Sequence, residues 1–131
     1  MGAFEEKHVV VTGGTGALGA AVVRALVAQG ATVYVPCRAP HESTRHPLAG
    51  VEGVHLKGPV DLSSEEAVAA FYGDLPPLWA SIQCAGGFQM APLAETSVED
   101  FHRMHTMNAV TCFLSCREAT SRIRAGGLGG R

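Results

Sequence analysis

The sequence predicts an α/β domain, a doubly wound parallel sheet with strand order 3-2-1-4 and helices on both faces. Two observations carry this. The run His8-Val9-Val10-Val11-Thr12 is apolar and β-branched, and it leads straight into Gly13-Gly14-Thr15-Gly16-Ala17-Leu18-Gly19 and a helical stretch. Strand-like and helix-like segments then alternate along the rest of the chain, the pattern of parallel strands joined by helical crossovers.

The elements follow in order. Residues 7–12 are the first strand, with the near-continuous hydrophobicity of a strand buried on both faces. Residues 16–29 are the first helix. Leu18, Val22, Leu26 and Gln29 recur at helical spacing, and Gly30 sits where a left-handed C-cap belongs. Ala31 to Val35 is the second strand, ended by Pro36. Residues 37–47 contain two prolines and little periodicity, and read as a loop or a poorly formed helix. Val51 to Leu56 is a short third strand. Ser63 and Glu66 have capping-box spacing, so a helix starts there and runs to about Tyr72, where Gly73 and Pro76-Pro77 end it. Leu78 to Cys84 is the fourth strand, broken by Ala85-Gly86-Gly87. After a loop to Glu95, Thr96 and Glu99 form a second capping box for a long helix over 97–124. Gly126 to Gly130 has no regular structure.

The 131 residues make one domain, 1–131, with no internal repeat or linker. Hydrophobic residues at 47% and charged residues at 17% indicate a folded chain. A net charge of -2 gives no electrostatic case for nucleic acid or an anionic membrane. No apolar run approaches the ~20 residues of a membrane span, and residues 1–7 do not read as a signal peptide. The expected location is the cytoplasm. Cys37, Cys84, Cys112 and Cys116 show no paired framework and are expected to be reduced. His102, His105, Cys112 and Cys116 share the last helix, but His105 and Cys116 are about 16 Å apart along it, too far for one ion. No metal site is expected. His41, His46 and His55 read as solvated. Ser81 lacks the Gly-x-Ser-x-Gly context of a hydrolase nucleophile.

The glycine turn carries the chemistry. The first turn of a helix leaves N–H groups unpaired and holds partial positive charge. Glycines let a phosphate approach that backbone closely, and the strand-to-helix setting is the context such a motif needs. In a sheet of this order, the turn, the end of strand two and Ala85-Gly86-Gly87 converge beside the switch between strands one and four.

These residues resemble the short-chain dehydrogenase/reductase family over almost the whole chain, which implies a Rossmann-like sheet and a nicotinamide dinucleotide cofactor. Thr12 to Gly19 is similar to the family's glycine-rich turn. It departs from the main subgroup's pattern at Ala17 and fits the spacing of the extended subgroup. The resemblance assigns cofactor contacts to Gly13, Thr15, Gly16, Ala17, Leu18 and Gly19. Asp61-Leu62 stands where the family places an acidic residue near the adenine. Cys84-Ala85-Gly86 resembles the family's Asn-Ala-Gly, with Cys84 replacing an asparagine that helps hold the sheet. Asn108 matches the family's structural and proton-relay asparagine, the one catalytic residue the resemblance assigns. The end of strand two, Pro36-Cys37-Arg38, has no acid for a ribose 2′-hydroxyl. Arg38, with help from Arg45, suits a 2′-phosphate, which favours NADP over NAD.

The family's catalytic serine and Tyr-x-x-x-Lys are absent. Tyr34 is followed four residues later by Arg38, and Tyr72 by Pro76; the lysines are Lys7 and Lys57. The favoured reading is therefore the nucleotide-binding part of a carbonyl or alcohol oxidoreductase, truncated before the fifth strand and inactive alone. A non-catalytic NADP-binding sensor and a scaffold module are the alternatives. The apolar loop Phe88 to Glu95 suggests a hydrophobic carbonyl or alcohol. The open edge of strand four and the 97–124 helix suggest self-association.

Overall fold

The structure, a computed structural model, describes residues 2–131; Met1 lies outside the described residues. Four parallel strands form one sheet: β1 (His8–Thr12), β2 (Thr32–Pro36), β3 (Val54–Lys57) and β4 (Ala80–Gln83), in the order β3-β2-β1-β4. The order 3-2-1-4 and the switch between β1 and β4 are as the alternation predicts. Val9, Val10 and Val11 are all fully buried. Val9 and Val11 face one layer with Val23, Leu26, Val33 and Val35; Val10 faces the other with Val68, Tyr72, Leu78 and Leu114. A strand buried on both faces needs no alternation, which is why Val9 to Val11 carry no polar residue between half-buried His8 and Thr12.

One layer is α1 (Ala17–Ala28). Its inward residues are Gly19, Ala20, Val23 and Leu26, so the helix is rotated from the Leu18-Val22-Leu26-Gln29 row, and Leu18 is 69% exposed. Gly19 sets that rotation by packing on the Gly13 carbonyl. Gly30 has φ +92 and ends α1 in a Schellman arrangement: its N–H donates to Val27 O at 2.9 Å and that of Ala31 to Leu26 O at 3.1 Å.

The connection after β2 is not simply a loop. It contains a one-turn helix, α2 (Glu42–Arg45). The third strand starts later than expected, at Val54, because Gly50 and Gly53 both take positive φ and turn Val51 out of register. The other layer holds α3 (Glu65–Gly73), α4 (Val98–His105) and α5 (Thr111–Gly126). Both helix N-caps lie one residue later than the sequence spacing suggests, and only the second is a reciprocal box, since Ala67 at the third position of α3 has no polar side chain to return the bond. Ser64, not Ser63, caps α3 by accepting from Ala67 N, and Ser63 instead donates to the Asp61 carboxylate. Ser97 and Asp100, not Thr96 and Glu99, form the reciprocal box of α4. Thr96 is occupied with the Pro92 carbonyl. The Ser97 backbone and hydroxyl, then Gln89 and Arg103, hold the Asp100 carboxyl down to about 2.

The long helix is continuous over 98–126 but contains one π turn, Thr106–Val110. The glycine tail is not free of the sheet. Arg131 N donates to Trp79 O at 2.9 Å and Ser81 N donates to Arg131 O at 3.1 Å. That pair of bonds is the parallel-strand pattern, so the β4 edge is engaged there rather than open along its length.

Candidate nucleotide-binding site

The site is built where β1 and β4 end. Gly13 has φ +67, and a Cβ there would lie 2.7 Å from Ala85 N and from Cys84 C. The turn therefore presses directly on the backbone after β4. At Gly14 a Cβ would meet Val35 side-chain carbons at 2.8 and 2.9 Å, and at Gly19 it would run into the Gly13 carbonyl. These three glycines are required by packing. Gly16 is different: it is exposed, with φ -80, and its only neighbour is Gly13 O at 3.3 Å. It is also the N-cap of α1 and makes no side-chain cap. The amides of Ala17, Leu18 and Gly19 lie in the first helical turn, where no intrahelical acceptor exists. Ala17 and Leu18 are exposed. The result is an uncapped, solvent-facing helix N-terminus with the bare backbone of exposed Gly16 in front of it, held in place by the close packing of Gly13 and Gly19. It fits a pyrophosphate.

A polar chain under the turn ties it to the sheet. Thr12, 1% exposed, accepts from Ala85 N at 3.3 Å and donates to Gln83 Oε1 at 3.1 Å. Gln83 Nε2 donates to Ser81 Oγ at 2.8 Å, and Ser81 Oγ pairs with the Tyr72 hydroxyl at 2.9 Å. Gln83 thus bridges β4 to β1 next to Cys84, which is half-buried against the α1-side core. The rigidity expected of an asparagine at Cys84 is supplied by its neighbour. Gln83 escaped the sequence reading because a glutamine in a strand has no signature of its own.

Asn108 sits on the π turn. Its Oδ1 accepts from Gly87 N at 3.1 Å, and its Nδ2 donates to Gly87 O at 3.0 Å and to Met104 O at 2.9 Å. A Cβ on Gly86 would fall 2.6 Å from Asn108 Oδ1. The side chain therefore clamps the loop after β4 to the long helix, and it bonds back to its own helix four residues earlier. Gly86 and Asn108, read separately in the sequence, are brought into contact.

The adenosine side is looser. Arg38 is exposed. Asp61 is exposed as well, and its carboxylate is held by Ser63 N at 2.9 Å and Ser63 Oγ at 2.7 Å. Those bonds, with the Arg38 charge adding to them, keep Asp61 below the usual carboxylate range. Leu62 packs partly on the α3–α5 core. Thr15 is not a free turn residue: its hydroxyl donates to Glu42 Oε2 at 2.8 Å, and its carbonyl meets His46 Nε2 at 2.9 Å. His46 is therefore engaged rather than solvated. Glu42 opens α2 and His46 is the extended residue that ends it, so both ends of this one-turn helix are tied to Thr15.

A parallel sheet of this order with a glycine cradle at its switch point defines a dinucleotide-binding type of α/β domain. A family model described as short chain dehydrogenase matches residues 7–130, and the chain belongs to that family. It is 29% identical over 135 residues to a 3beta-hydroxysteroid dehydrogenase of Mediterraneibacter gnavus, covering 97% of this chain and 49% of that protein. It is 29% identical over 120 residues to 3beta-hydroxysteroid dehydrogenase 1 of Eggerthella lenta, covering 86% of this chain and 46% of that one. Among solved structures it is similar to a short-chain type dehydrogenase/reductase from Mycobacterium ulcerans, with TM-score 0.80 and 26% identity over 96% of this chain and 50% of that chain. The chain spans about half the length of the curated relatives it matches. No helix among the described residues is long and apolar enough to cross a membrane.

Proposed function

We propose that these 131 residues are the cofactor half of an NADP-dependent oxidoreductase that interconverts an alcohol and a carbonyl. The observation that carries this is the uncapped α1 N-terminus set over Gly13 and Gly19 at the β1–β4 switch. In this reading the amides of Ala17, Leu18 and Gly19 and the bare backbone of Gly16 hold the pyrophosphate. Arg38 meets the 2′-phosphate, Asp61 and Leu62 flank the adenine, and Ala85-Gly86 forms the wall nearer the nicotinamide. The cofactor, when bound, supplies or accepts the hydride. The chain's own part is to bind and orient it. Asn108 acts by fixing the Gly86-Gly87 wall, since both of its amide hydrogens are donated to backbone carbonyls and its oxygen accepts from a backbone N–H. No Tyr-x-x-x-Lys occurs in this sequence, so proton transfer to substrate falls to residues outside it. The exposed loop residues Phe88, Met90 and Leu93, at 83%, 83% and 91%, favour a hydrophobic substrate. The hydroxysteroid named in the two relatives is of that class.

The test is fluorescence titration with NADPH and NADH. Wild type is expected to bind NADPH more tightly. Arg38→Ala should lower the NADPH:NADH affinity ratio about tenfold, the worth of one charge-assisted phosphate contact. An unchanged ratio removes Arg38 from the reading; no binding of either nucleotide removes the reading itself.

The same half-domain reading bears on assembly. Val98, Phe101 and Phe113 are 71%, 63% and 62% exposed along the 98–126 helix. A row of this kind supports self-association of the chain through that helix, with the remaining β4 edge as a second surface. Sedimentation at tens of micromolar is expected to show dimers or larger species; a clean monomer would count against it.

A further inference from the structure

We propose that Glu42 is a selectivity residue, a carboxylate fixed on the glycine turn that works against the additional phosphate of NADPH and so opposes Arg38. This rests on the dinucleotide reading above and goes beyond it, because that reading assigned nucleotide choice to the end of β2 alone.

Glu42 is not a swinging surface acid. Its Oε2 accepts from the Thr15 hydroxyl at 2.8 Å. The same residue, Thr15, is held from its carbonyl side by His46 Nε2 at 2.9 Å. His46 Nδ1 takes the Leu48 N–H at 3.1 Å, and a backbone N–H can only donate. Nδ1 is therefore the acceptor, and Nε2 carries the hydrogen that goes to Thr15 O. Leu48, 1% exposed in the α1-side core, anchors the far end. The chain from Leu48 through His46 and Thr15 thus locks α2 onto the turn and places a negative charge at its third residue.

That charge sits in the turn that follows β2: the Glu42 N–H donates to Ala39 O at 3.1 Å, and Ala39 directly follows Arg38. Burial first, and the Glu42 carboxylate second, push the Cys37 thiol up to about 11. Cys37 directly precedes Arg38. This short turn therefore carries an exposed guanidinium and, four residues on, a carboxylate pinned by Thr15, while the exposed Asp61 carboxylate also feels the Arg38 charge. The two cofactors share the pyrophosphate and differ by one phosphate ester of charge near -2. A fixed carboxylate beside the Arg38 position penalises the nucleotide that carries the extra charge far more than the one that does not. A purely structural role for Glu42, as the partner of Thr15, would affect both nucleotides alike.

Glu42→Gln separates the two roles, since the amide oxygen still accepts from Thr15 while the charge is gone. The variant of the 131-residue chain is titrated with NADPH and with NADH at low and high salt, and its melting temperature is compared with wild type. The expected result is about tenfold tighter NADPH, NADH changed less than about twofold, and a gap that narrows as salt screens the charge. An unchanged NADPH:NADH ratio at equal melting temperature overturns the role of Glu42, as does an equal shift for both nucleotides. Absence of binding by wild type and variant alike overturns the dinucleotide reading instead.

Discussion

Gly19→Ala is expected to abolish nucleotide binding and to lower the melting temperature by about 10 °C, whereas Gly16→Ala melts within about 2 °C of wild type. The two positions are three residues apart in one turn, and neither needs a positive φ. What separates them is the space in front of the Cα. A methyl on Gly19 meets the Gly13 carbonyl, which is backbone and cannot swing away. Gly13 is itself pressed against Ala85 N and Cys84. Relief at Gly19 must therefore push the turn off the end of β4 or lift α1 off the sheet. Either displacement costs about 3 kcal/mol, at the upper end for overpacking. At Gly16 the same methyl finds one oxygen at 3.3 Å and otherwise open solvent. If Gly16 fronts a bound phosphate, Gly16→Ala still weakens NADPH, by about tenfold, with no change in stability. Thermal melting and titration on the same samples check both halves. Equal melting of the two variants would sink the packing argument. Unimpaired binding in both would show that no phosphate approaches this turn.

The parts of the fold that the sequence exposes are those fixed by local chemistry. Val9 to Val11 can only be a strand buried on both sides, and Gly30 after Gln29 can only end the helix that way. Strand order then follows from crossover handedness. The errors have a common origin as well. Ser63 and Ser64, and Thr96 and Ser97, are adjacent hydroxyls, and spacing to an acid cannot choose between neighbours. Asp61 decides the first case by capturing Ser63, and the Pro92 carbonyl decides the second by capturing Thr96. The rotation of α1 is set by a glycine contact that no hydrophobic pattern reports. Legibility falls further at the site. The glycine cradle and the Gly86–Asn108 neighbourhood are readable from motif positions. Glu42, His46 and Gln83 are not, because their partners lie 27, 31 and 71 residues away in sequence. Nothing local distinguishes them from solvated polar residues.

The largest loss of stability is expected at Tyr72, and a pair of substitutions divides it between ring and hydroxyl. The residue is fully buried where α3 meets β4 and α5. Its ring contacts Phe71 edge-on, with centroids 5.2 Å apart. Tyr72→Ala removes the ring and should cost about 3–5 kcal/mol, a large share of what a domain of this size has. Tyr72→Phe keeps the ring and should cost only about 1 kcal/mol, since Ser81 Oγ retains its bond from Gln83 Nε2. The hydroxyl also makes an alkaline signature. Burial raises the Tyr72 phenol above its ordinary 10.0, partly offset by its bond to Ser81. A group whose folded value lies above its unfolded value contributes stability that is complete below 10 and is lost as pH climbs past it. Wild type should therefore lose urea resistance between pH 9 and 11, with Cys37 contributing from its lower starting point. Tyr72→Phe should lose less over the same interval while remaining slightly weaker at pH 8. Parallel losses in the two proteins would mean that the phenol ionises only after unfolding has another cause.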